Sequence, residues 1–189
     1  MGPRGEVSID RYVDVVTESG VIEDIEAVFF EAAGDRAFES PQARETFRER
    51  WLTRYLTHFP QDAFVARERS GKTIGYLAGC LEDPARHPLF ADISYFADFA
   101  TLTVEFPAHL HINLAAGYRG AGIGRRLIEA FADHAAAGGV PGLHAVTADG
   151  VRNNGFYRDC GFERAATAHW NGKLIAFFAR RLSKSVSVG

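Results

Sequence analysis

The sequence predicts a mixed α/β fold, and three observations carry that prediction. Apolar runs of strand length recur at Ala63–Arg67, Thr73–Leu81, Ala108–Leu114 and Leu143–Thr147, and again after Gly161. Helical stripes with recognisable start and stop residues lie between them. Turn signals place hairpins towards both ends of the chain, so the sheet should be mixed and not all parallel.

Glu6 to Val16 reads as a first strand because β-branched residues are scattered through it. Ser19 can cap the next helix, whose stripe of Ile22, Ile25, Ala27–Phe30 and Ala33 ends at Gly34. Ser40-Pro41 is an N-cap followed by proline at the first helical position. That helix runs to about His58 with Phe47, Trp51, Leu52, Tyr55 and Leu56 on one side, and Pro60 ends it. Ser70-Gly71-Lys72 joins the next two runs as a hairpin. Glu82–Phe106 is irregular and aromatic, the kind of long segment that often serves function. Ala108–Leu114 is a strand, Gly122–Ala137 a helix, Leu143–Thr147 a strand, and Val151–Asp159 a short helix stopped by Cys160-Gly161. Phe162–Trp170 and Lys173–Phe178 close the chain as a hairpin across Asn171-Gly172. The small, polar tail Ser183–Gly189 is expected to fray.

The chain has 189 residues, enough for a single domain spanning 1–189 with a sizeable core. Its formal net charge of −3 implies no broad basic surface, which argues against a nucleic-acid partner. No apolar run approaches the roughly 20 residues of a membrane helix, and Met1–Asp10 has no apolar signal region. No membrane partner is therefore expected. Two cysteines, Cys80 and Cys160, make neither a disulfide framework nor a metal cluster; reduced, buried thiols in a cytoplasmic protein are expected, with no metal.

The run His109–Phe131 carries the chemistry. A strand leads to Arg119-Gly120-Ala121-Gly122-Ile123-Gly124-Arg125-Arg126, and a helix follows. Glycines let the backbone approach a ligand, and the helix presents unpaired N–H groups and the positive end of its dipole, so a diphosphate is the natural guest. A plain connecting turn would not need three glycines. A dinucleotide-binding βαβ unit would need G-x-G-x-x-G close behind the strand, whereas Ala115–Arg119 intervene here; Asp149 would be its ribose-binding acid. A G-K-[ST] phosphate loop is absent from the sequence.

Leu110-x-Ile112-x-Leu114 followed by Tyr118–Gly124 resembles the acyl-CoA signature of the GNAT N-acetyltransferase superfamily, Q/R-x-x-G-x-G/A. Gly155–Phe162 resembles the same family's F-Y-x-x-x-G-F motif, in the usual order and separation. A narrower resemblance links Glu105–Leu114 and Gly75–Gly79 to the acetyltransferase-like domain of O-GlcNAc hydrolases and its free-standing bacterial relatives. The family resemblance implies a GNAT fold, a central, mostly antiparallel twisted sheet of about six to seven strands with about four flanking helices. It also implies acetyl transfer from acetyl-CoA to a primary amine, a small molecule or a protein lysine, by direct attack in a ternary complex. A CoA-binding sensor or interaction module without catalysis is the alternative. Many relatives dimerise, so a homodimer is one expectation.

The resemblance further implies that acetyl-CoA lies where two parallel strands splay, the first being Ala108–Leu114. Backbone groups of Ile112, Asn113 and Leu114 would hold pantetheine and the acetyl carbonyl, and one N–H would stabilise the oxyanion. Arg119, Gly120, Ala121, Gly122, Ile123 and Gly124 would cradle the diphosphate, supported by Arg125. Tyr157 matches the tyrosine that protonates the CoA thiolate; packing beside Phe156 and Phe162 is its other role. Ala116 stands where the family often has proline. Gly150 stands where it often has asparagine, a contact that Asn153 or Asn154 would replace. The general base stays open among His109, His111 and Glu105, with Asp98 and Asp92 as rivals; a structural role for either histidine competes.

Overall fold

A computed structural model describes residues 6–34 and 36–183. Residues 184–189 of the expected frayed tail lie outside the described residues. The elements in chain order begin with β1 (Val7–Arg11), α1 (Tyr12–Val15), α2 (Val21–Ala33), α3 (Pro41–Arg48) and α4 (Arg54–His58). There follow β2 (Phe64–Glu68), β3 (Thr73–Cys80), α5 (Tyr95–Asp98), α6 (Ala100–Glu105), β4 (Ala108–Leu114) and α7 (Ile123–Ala137). The chain closes with β5 (Gly142–Ala148), α8 (Asn153–Asp159), β6 (Glu163–Trp170) and β7 (Lys173–Arg181). The seven strands form a mixed, mostly antiparallel sheet in the order β1-β2-β3-β4-β5-β7-β6.

The residues fall into two compact units, one ending at Gly79 and resuming over His111–Phe131, the other covering Cys80–Leu110 and everything from Ala132 onward. β4 and α7 each contribute to both.

In the first unit, β1 pairs antiparallel with β2 from Val7↔Glu68 to Arg11↔Phe64, and β2 with β3. The predicted strand from Glu6 to Val16 stops at Arg11. Tyr12 and Val15, three residues apart and both buried, fit one face of a helical turn and not a strand, and Tyr12 N–H donates to Ala63 O at 2.9 Å. Ser19 is not the cap of α2. Gly20 is, at φ 86°, because the chain enters the helix through a left-handed residue, and Asp24 N–H donates to its carbonyl at 2.9 Å. Ser40 caps α3 as predicted, accepting from Ala43 N–H at 3.0 Å. Between α3 and α4 a π-helical stretch, Glu49–Thr53, widens the turn that carries Trp51.

In the second unit, β4 and β5 run parallel, with Ala108↔Leu143 and His109↔His144 in register. β5 pairs antiparallel with β7 along its full length, and β7 with β6. The β6–β7 hairpin turns at Asn171 (φ 48°) and Gly172 (φ 73°), the left-handed pair its sequence predicts. The irregular segment 82–106 contains α5 and α6; Tyr95 and Phe96 of α5, and Phe99 between the two helices, are buried. Cys80 and Cys160 are free and buried. Among the described residues no helix is long and apolar enough to cross a membrane.

Phe177 is fully buried, stacked on His144 (ring centroids 4.5 Å apart) and tilted against Phe99 (5.1 Å). Phe177→Ala should cost about 3–5 kcal/mol through lost contacts and a residual cavity. Urea unfolding checks this: the midpoint should fall with the slope unchanged.

Candidate active site

The loop between β4 and α7 is the first component, and all of it belongs to the first unit. The exit of β4 is held by close packing at Gly75, where a Cβ would meet the Leu114 side chain and stand 3.0 Å from Asn113 O. Asn113 Nδ2 donates to the Tyr76 hydroxyl at 2.6 Å, and Ala115 N–H donates to Ile74 O at 2.9 Å. The chain then turns through Ala116–Tyr118. Ala116 N–H donates to Glu31 Oε1 at 2.6 Å, and the Tyr118 hydroxyl to Glu68 Oε1 at 2.5 Å. Arg119 folds back, its Nε donating to Leu114 O at 3.0 Å, with Glu31 3.9 Å from its Nη2.

Gly120 and Gly122 both stand at φ 78°, a conformation costly for any residue with a side chain, and both are exposed. The N–H groups of Gly120, Ala121 and Gly122 donate to no backbone carbonyl among the described residues. α7 starts at Ile123, so its own first N–H groups add to the set. Ile123 and Gly124 are buried and fix the helix start, while Arg125 is exposed. Exposed amides, a helix N-terminus and adjacent guanidinium charge are donors that suit a diphosphate.

His111 is the second component of this unit. Its Nε2 lies 3.1 Å from the Tyr55 hydroxyl, and the rings of Trp51 and Tyr55 meet it edge-on at 5.2 and 5.1 Å. Burial pushes its imidazole down to about 4, so it is neutral at pH 7. In the sequence Trp51 and Tyr55 stand out only as part of a helix's apolar side. Their spacing of four marked one helical face, but nothing local in the sequence told which strand residue that face meets.

The second unit holds the remaining candidates. Tyr157, on α8, is 7% exposed, with its ring 5.4–5.7 Å from Phe156, Phe162 and Phe178. Burial pushes its phenol up, and its hydroxyl has no hydrogen-bond partner among the described residues. Asn154 is buried and donates to Ala148 O at 3.1 Å, tying α8 to β5; Asn153 is exposed. Asp149, the ribose acid of the dinucleotide reading, accepts from Arg164 Nε and Nη2 (3.0 and 2.7 Å). Glu105 is exposed and accepts from Arg181 Nη2 at 2.7 Å. His109 is 2% exposed among Phe90, Phe96 and His144, with ring centroids 4.7, 5.5 and 5.5 Å away. His144, which no motif in the sequence marks, is fully buried, with Nδ1 2.5 Å from Phe106 O. Asp92 and Asp98 are exposed. Among the described residues no group of three or more metal-ligating side chains is present.

Residues 27–162 match the Acetyltransferase (GNAT) family, so the chain belongs to that family. Among solved structures, SsHAT is similar at a TM-score of 0.72 and 20% identity, over 93% of this chain and 98% of that one. An N-acetyltransferase from Staphylococcus aureus Mu50 is similar at 0.61 and 18%, over 95% and 100%. The NatC complex bound to Gag peptide and CoA is similar at 0.61 and 16%, over 94% and 99%. At these identities the likeness is one of fold. A search of curated proteins finds no match.

Below the ordinary imidazole pKa of 6.5, the unfolded chain binds a proton that folded His111 takes up only near pH 4. Stability should therefore fall as pH drops from about 6.5 to about 4, by up to about 1.4 kcal/mol per unit from this group. His111→Gln should flatten that slope. Urea unfolding of both proteins at pH 5 and pH 7 measures it.

Proposed function

We propose that this chain, acting as one GNAT domain, transfers an acetyl group from acetyl-CoA to a primary amine in a ternary complex. The observation that carries this reading is the exposed amide set of Gly120–Gly122, unbonded to backbone carbonyls among the described residues, at the head of α7 beside Arg119 in a chain of the GNAT family. Those amides receive the diphosphate, and the backbone of Ile112–Leu114 receives pantetheine and the acetyl carbonyl. The amine nitrogen attacks the thioester carbonyl, a C–N bond forms, and the C–S bond breaks as the tetrahedral oxyanion collapses.

Tyr157 supplies the proton that the CoA thiolate takes. Its raised pKa keeps it protonated at every working pH, and its hydroxyl is not engaged by another described group. His111 is the favoured base among the candidates. It is neutral near pH 7, and the Tyr55 hydroxyl fixes its ring, whereas Glu105 is held by Arg181 and His109 sits in an aromatic core. Acetyl-CoA supply fits a cytoplasmic setting.

Two measurements test the reading. Calorimetry with CoA should show binding to the wild type and at least tenfold weaker binding to Gly122→Asp, whose carboxylate meets the diphosphate and whose φ is strained. CoA release over a panel of amines should show kcat lowered about 100-fold in Tyr157→Phe with little change in KM. CoA binding without tyrosine-dependent release would replace the enzyme with a binding module.

A further inference from the structure

A cleft of about 490 Å3 in the first unit is lined by Glu6, Val7, Ser8, Arg69 and Arg126. It opens beyond the last pair of the β1–β2 ladder, Val7↔Glu68, so Glu6 and Arg69 are the next residues along each strand. Arg126 comes from the first turn of α7, where its N–H donates to Gly122 O at 3.2 Å. The side chains of Arg69 and Arg126 have no hydrogen bond, ion pair or ring contact among the described residues. The contrast with Arg67 is local: that guanidinium is paired with Glu18 and also donates to Gly71 O at 3.1 Å. Arg126 is stranger still, because a cation at a helix N-terminus is opposed by the helix dipole. Two exposed, uncompensated guanidinium groups facing one cleft, one of them against a dipole, outweigh the single carboxylate of Glu6. That imbalance calls for an anion.

The chain also says where the anion comes from. Tyr118 reaches across to Glu68 at 2.5 Å, so the strand end bearing Arg69 is bonded to the loop that precedes the glycines. Arg126 lies four residues past Gly122, about 6 Å along the helix axis. We propose that the Glu6–Arg69–Arg126 cleft is a phosphate-monoester site, with Arg69 and Arg126 pairing the dianion. Its occupant is either the ribose 3′-phosphate of CoA or a free phosphate compound. The first source rests on the CoA reading above; the second does not.

The test uses the full chain, with Arg69→Gln and Arg126→Gln, both surface changes whose folding is checked by thermal melting. CoA and 3′-dephospho-CoA are titrated by calorimetry, and inorganic phosphate is titrated separately by amide-shift spectroscopy. The wild type should bind CoA about tenfold more tightly than 3′-dephospho-CoA, and each variant should lose most of that ratio while binding of 3′-dephospho-CoA stays unchanged. Inorganic phosphate that shifts Val7, Ser8 and Arg126 amides in the wild type and not in the variants, with the CoA ratio unaltered, assigns the site to a free phosphate compound. Equal ratios in all three proteins together with no phosphate response overturn the proposal. Failure of CoA and 3′-dephospho-CoA alike to bind the wild type would overturn the CoA reading, and the phosphate titration alone would then decide the cleft.

Discussion

The absence of a side chain at Gly75 sets the course of the segment that follows β4. With no Cβ there, β3 lies against Asn113 and Leu114 closely enough that Tyr76 and Asn113 bond at 2.6 Å and Ala115 joins the ladder to Ile74. The direction in which the chain leaves β4 is thereby fixed. Arg119 then bonds back to Leu114 O, and Tyr118 and Ala116 are tied to Glu68 and Glu31, so three separate elements brace the approach to the glycines. Only after that bracing does the backbone enter left-handed conformations at Gly120 and Gly122 and start α7. A loop whose ends are held and whose middle has no internal acceptors presents its amides at little further entropic cost.

The second unit solves a different problem, holding a phenol in an apolar setting. Phe178 of β7 stacks on Tyr157, Phe162 meets it edge-on, and Asn154 anchors the start of α8 to the end of β5. Beneath β4 and β5, the rings of His109, His144 and Phe177 stack in sequence, with Phe90 and Phe96 against His109. Histidines in this stack act as flat packing groups as much as polar ones. Tyr157 is different because its ring is packed while its hydroxyl has no hydrogen bond among the described residues.

What the sequence made legible was chemistry with a local cause. The Ser40 cap, the Asn171-Gly172 turn, the bounds of β4 and the course of α7 depend on residues within a few positions of one another, and each stands where the pattern put it. The glycine loop was legible for the same reason. The misses have non-local or competing causes. Tyr12 and Val15 are as strand-like as their neighbours, but burial of both on one side, against the segment carrying Ala63, favoured a helical turn. Ser19 has the right side chain for a cap, yet a left-handed entry at Gly20 leaves the cap to the backbone. The partnership of Tyr55 with His111 spans 56 residues, and Arg126 stands out only once its lack of a partner is visible.

The two residues favoured for proton transfer are shifted in opposite directions by the same cause. Desolvation lowers His111 and raises Tyr157, because in each case it disfavours the charged form. Both side chains are therefore neutral from about pH 5 upward. In the proposed chemistry neither group has a titration of its own to limit the rate near neutrality. In the proposed reaction the acceptor amine, whose free base is scarce at neutral pH, would govern the pH dependence. The cost is that each proton transfer runs uphill, since the buried imidazole is a weak base and the buried phenol a weaker acid than the CoA thiol. In the proposed reaction, rate would come from placement and from oxyanion stabilisation by backbone amides.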